Sequence, residues 1–153
     1  RLDASRGVLL KGHGTENFTV LESGRSGINL FGDQRAAVSG DFDRDGMSDL
    51  VVTRNSGKTG LFLNKSKKIG LRVVVQGAAG NTHGIGSVLR LKYHDGMGPA
   101  RQITGSSGYR SQGSSIQVLH ATRPVESVWI QKPDGKILTH EIKKGTHEMR
   151  ITY

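Results

Sequence analysis

Between residues 41 and 49 the chain reads Asp-Phe-Asp-Arg-Asp-Gly-Met-Ser-Asp and runs directly into Leu50-Val51-Val52. Carboxylates at alternate positions of a short turn repel one another unless a cation sits among them. Gly46 stands in the sixth place, where such a loop turns too sharply for a Cβ. A calcium ion takes about six to eight oxygens at about 2.3–2.6 Å, supplied by loop positions 1, 3, 5, 7 (through a carbonyl) and 9. Those positions are Asp41, Asp43, Asp45, Met47 and Asp49. The expectation is therefore a bound Ca²⁺, and the competing reading is an acidic surface turn that holds no ion.

The loop is not an EF-hand. Position 12 counted from Asp41 is Val52 and not Glu, and it lies in an apolar run that reads as strand. The metal loop thus joins two strands. Most other apolar runs are also short, β-branched or alternating, and are bounded by Gly, Asn, Asp or Ser. Strands are expected at Phe18–Leu21, Asp49–Thr53, Gly60–Asn64, Leu71–Gln76, Ser87–Tyr93, Arg101–Thr104, Ile116–His120, Ser127–Gln131, Ile137–Ile142 and Glu148–Tyr153. No segment reads as a helix. Pro133-Asp134-Gly135 is a turn with a mechanism, since Pro presets φ and Gly accepts φ > 0. The fold class is all-β.

An internal echo divides the chain. Arg6-Gly7-Val8-Leu9-Leu10-Lys11 resembles Thr59-Gly60-Leu61-Phe62-Leu63-Asn64, at a separation typical of propeller blades. Residues 1–14 then read as the end of one blade and 15–64 as a complete one. A propeller closes only with about four to eight blades, so upstream blades or partner subunits are expected beyond this chain, which reads as a fragment or processed product. Lys65-Ser66-Lys67-Lys68 marks the boundary, and residues 65–153 have enough strands for an independent antiparallel β-sandwich or barrel.

Charge is divided the same way. Residues 1–64 balance eight Lys/Arg against eight Asp/Glu, whereas residues 65–153 hold fourteen against five, the whole of the net +9. A basic surface attracts acidic polysaccharide, nucleic acid or lipid head groups. Aromatics at 5% argue against a single-strand stacking platform, so nucleic acid is the weaker expectation. No apolar stretch approaches the roughly 20 residues of a membrane span, and Arg1–Arg6 lacks the apolar core of a signal peptide. The chain has no cysteine, which excludes disulfides and thiolate metal sites.

The segment Ala36–Gly46, with Asp49-Leu50-Val51-Val52 and Leu61-Phe62-Leu63-Asn64, closely resembles an FG-GAP (VCBS-type) repeat, the calcium-loop blade of integrin-like β-propellers. By that resemblance Asp41, Asp43, Asp45 and Asp49 are side-chain ligands and Met47 lends its carbonyl. The remainder resembles the ASPIC/UnbV domain. The matching residues are Leu71-Arg72-Val73, Asn81 with Gly84–Val88, Gly105–Gln112, and Val125–Ile130 leading into Pro133-Asp134-Gly135. It departs from that pattern at Val118-Leu119-His120-Ala121 and at Lys132. The resemblance implies an interaction or adhesion role in a secreted, periplasmic or cell-surface protein. Within Gly105–Gln112, Tyr109 could stack on a sugar with Arg110, Ser111 and Gln112 as hydrogen-bonding partners, and the competing reading is a loop that merely buries Tyr109 and closes a β turn.

No catalytic pattern emerges. Gly57-Lys58-Thr59 lacks the leading glycine and following helix of a phosphate loop. His13, His83, His94, His120, His140 and His147 show no metal-ligand spacing, and no nucleophile elbow occurs. The expectation is a non-catalytic calcium-binding module. The alternatives are polyanion binding by the basic half and a structural or accessory part of a larger complex. Asn17-Phe18-Thr19 and Asn64-Lys65-Ser66 are glycosylation sequons, meaningful only in a eukaryotic secretory route.

Overall fold

The computed structural model describes residues 5–14, 16–108 and 111–153. Its described residues are all-β, with 43% of them in strands and 3% in helix. Up to residue 64 the elements are β1 (Ser5–Arg6), β2 (Leu9–Gly12), β3 (Phe18–Leu21), α1 (Ser23–Ser26), β4 (Phe31–Gly32), β5 (Gln34–Gly40), β6 (Asp49–Arg54) and β7 (Gly60–Phe62). β5, β6 and β7 form an antiparallel meander in which Gly40 lies opposite Asp49 and Leu50 opposite Phe62. The acidic loop is thus the turn of the β5–β6 hairpin. β2 and β3 make a separate hairpin that spans the expected blade boundary at residue 14, and β1 pairs with β4.

The single helical turn α1 corrects the expectation of no helix. Its Ser-Gly-Arg-Ser sequence is too short for any periodicity to register. What closes it is Gly27, whose φ of 72° allows its N–H to donate to the carbonyl of Ser23.

From residue 65 onward come β8 (Leu71–Gln76), β9 (Val88–Tyr93), β10 (Gly96–Met97), β11 (Arg101–Gln102), β12 (Gln117–Leu119), β13 (Ser127–Gln131), β14 (Ile137–Glu141) and β15 (Glu148–Thr152). One sheet runs β10-β9-β13-β14, with β11 also pairing β9, and the other runs β12-β8-β15. The wholly antiparallel expectation fails at one place, because β15 runs parallel to β8, with Glu148 opposite Arg72 and Thr152 opposite Gln76. A parallel pair needs a long crossover, and the whole of residues 77–147 supplies it.

The two sheets share one core. Leu71, Val73 and Val75 alternate inward along β8; Leu89, Leu91 and Tyr93 do so along β9; Ile103, Leu119, Val128, Ile130 and Ile151 complete the cluster. Period-two burial of this kind is what an apolar/polar alternation produces on a pleated strand, and each such side chain contributes about 1.5–3 kcal/mol on burial. The Pro133–Gly135 turn forms as expected. Gly135 has φ 83°, and the backbone N–H of Lys136 together with the ammonium groups of Lys132 and Lys136 hold the Asp134 carboxyl below its ordinary pKa. No helix among the described residues is long and apolar enough to cross a membrane.

Candidate metal centre

The hairpin brings three of the four expected carboxylates together. Asp41, Asp43 and Asp49 each offer an oxygen within 4.8 Å of the others, an arrangement that could hold a metal ion. Asp45 lies outside that group, and its Oδ1 accepts the backbone N–H of Met47 at 2.9 Å. Asp43 Oδ1 in turn accepts the N–H of Asp45 at 3.4 Å, and Asp41 Oδ2 that of Gly46 at 3.2 Å. These side chain to backbone bonds curl the loop around its own acids. The turn also needs left-handed backbone at Arg44 (φ 62°) and Gly46 (φ 81°).

The acids are not equivalent. Asp49 is 2% exposed, and both its oxygens are engaged, Oδ2 by the N–H of Phe42 and Oδ1 by the N–H of Asn64, each at 2.8 Å. It therefore ties the start of the loop to the end of the β7 segment. Asn64 adds a bond from Nδ2 to the carbonyl of Ser48 at 3.2 Å, so the amide of that sequon is held against the loop. Asp41 has a side chain only 1% exposed, yet its Oδ1 has no hydrogen-bond partner. A buried carboxylate oxygen without a partner forfeits its hydration with nothing in return, and it is the group most in want of a cation. Met47 buries its side chain, with Ser66 Oγ 3.4 Å from its sulfur.

A second cation source, invisible in the sequence reading, reaches the loop from the C-terminal half. Arg72 on β8 donates from Nη1 to Asp41 Oδ2 at 2.5 Å and from Nε to Glu148 Oε2 at 3.2 Å. Its pKa is raised above the usual arginine value, chiefly by the hydrogen bond to Asp41 and against the opposing effect of burial. Backbone contacts hold the same junction: the N–H of Gly70 donates to the carbonyl of Gly46 at 2.8 Å. A Cβ on Gly46 would sit 2.8 Å from Ile69 Cγ2, so Gly46 is required by this packing as well as by its φ. Neither Arg72 nor Asn64 announces itself locally, for they lie 31 and 15 residues from their acidic partners.

Two clefts flank the loop. One of about 430 Å³ is lined by Arg44, Asp45, Ile69, Arg72, Val74 and Arg150 among others. Another of about 290 Å³ includes Ser39, Ser48, Arg101, Ser114, Gln117 and His120. Of the expected ligand loop, Tyr109 and Arg110 lie outside the described residues. Ser111 spends its backbone within the loop, its carbonyl accepting from Ser107 at 3.0 Å, and Gln112 is exposed. Among the described residues no histidine joins a metal-ligand cluster. No protein-family model matches the chain, and no curated protein matches it.

Proposed function

We propose that the chain is a non-catalytic, calcium-stabilised interaction module. In this reading residues 1–64 are the end of an FG-GAP-type propeller and 65–153 an ASPIC/UnbV-like sandwich or barrel, in a protein exported from the cytoplasm. The observation that carries it is the convergence of Asp41, Asp43 and Asp49 with a buried, unpartnered Asp41 Oδ1. The donor set is all oxygen, which suits a hard cation such as Ca²⁺ over the softer transition metals. Bound there, the ion supplies charge neutralisation: it offsets the mutual repulsion of the acids and fixes the hairpin corner. The partner is a glycan or an acidic polymer met by the C-terminal half.

Thermal melting with calcium and with chelator tests this. A loop with an affinity of about 10⁻⁴–10⁻³ M, at about 10 mM calcium, gains about 1.4–2.7 kcal/mol and hence a melting point roughly 3–10 °C higher. Superimposable curves would count against the proposal.

A second reading, a structural part of a larger assembly, rests on a different observation. Val8, Leu10, Phe18, Val20 and Phe31 are each more than half exposed. Apolar strands left open in this way are the surfaces that neighbouring blades or partner subunits cover.

A further inference from the structure

The acidic loop meets a positive charge that is part of the protein. Arg72 Nη1 lies 2.5 Å from one oxygen of Asp41, while the other oxygen of the same carboxylate is buried and free. We infer that Arg72 is a resident counter-cation of the metal loop: it holds the loop together when no ion is bound, and it lowers the loop's affinity for the ion. The inference rests on the calcium reading of the loop and specifies how that site is regulated.

Arg72 cannot readily leave when an ion arrives. Its Nε is held by Glu148, which Arg150 also contacts at 3.0 Å, and the side chain is only 13% exposed. The N–H of Gly70, just before β8, donates to the carbonyl of Gly46 at 2.8 Å and ties that strand to the loop. An ion held by Asp41 would share that carboxylate with the guanidinium, and the two like charges would repel at short range. The repulsion opposes binding. The same guanidinium, when the loop is empty, offsets part of the repulsion among Asp41, Asp43, Asp45 and Asp49. One side chain thus makes the loop stable without the ion and modest in its hold on it. Arg72 belongs to β8 and Glu148 to β15, so the contact with Asp41 joins the acidic loop to the C-terminal sheet.

The test is calcium chloride titration calorimetry on the full chain, with melting in chelator alongside. Arg72→Met keeps the length of the side chain and removes its charge; it is expected to bind calcium about tenfold more tightly than the wild type while melting at a lower temperature without the ion. Arg72→Lys keeps the charge and is expected to stay within about threefold of the wild-type affinity. Should Arg72→Met fail to fold without calcium, Arg72→Gln serves in its place: its amide can still donate to Asp41 but carries no charge, so it should bind calcium more tightly than the wild type, and equal or weaker binding would overturn the inference. Equal or weaker binding by Arg72→Met, with the wild type binding normally, also overturns it and leaves the calcium reading standing. No binding by wild type or variants removes both.

Discussion

Asp49 is a buried acid with two hydrogen-bond partners of its own. Its place nine residues into the motif marks it as an acid of the loop, and it does join Asp41 and Asp43. Its two oxygens also accept the N–H groups of Phe42 and Asn64 inside a nearly dry site. Asp49→Ala leaves the part-buried N–H donors of Phe42 and Asn64 without their acceptor, at about 1–3 kcal/mol each. We therefore expect a loss of about 2–6 kcal/mol in urea unfolding, present even in chelator. A variant as stable as wild type in chelator would mean that Asp49 acts on an ion alone. The second role was illegible beforehand because both donors are backbone groups whose position depends on strand register, and a sequence motif specifies side chains. Arg72 was hidden for a related reason, since nothing local distinguishes it from the other cations of the basic half.

The loop itself depends on Gly46. Its φ of 81° and the 2.8 Å approach of Ile69 Cγ2 to an added Cβ are independent obstacles to a side chain. Gly46→Ala should cost about 1–3 kcal/mol in chemical denaturation. Adding Ile69→Ala should recover only the part due to the contact; full recovery would show that the backbone conformation is unstrained. Many strands elsewhere were legible, because alternation writes burial directly into sequence, although β5 (Gln34–Gly40), which leads into this turn, was not among the expected ranges. Leu71–Gln76 and Ser127–Gln131 form as expected, and Gly60–Asn64 and Arg101–Thr104 are shorter than expected at their C-terminal ends. What alternation does not encode is pairing. The parallel alignment of β15 with β8 and the β2–β3 hairpin are choices among strand edges, made by the crossover and by the core.

The molecule is unevenly built. Every member of the buried cluster lies at or beyond Leu71, whereas much of the first half's apolar surface is open, including Val8, Leu10, Phe18 and Leu61. The one-sided charge was visible in composition. The contact between the halves, through Gly46, Ile69, Gly70 and Arg72, was not, since it joins residues that carry no shared motif. The acidic loop is the point where a meander that buries Val52 but adds nothing to the main cluster meets a well-packed pair of sheets. A crystal structure grown at millimolar calcium, with anomalous scattering to identify the ion, reads that point directly. A calcium peak is expected about 2.3–2.6 Å from oxygens of Asp41, Asp43 and Asp49, with Arg72 still on the opposite oxygen of Asp41. A loop holding only water, its acids turned outward to solvent, would contradict it.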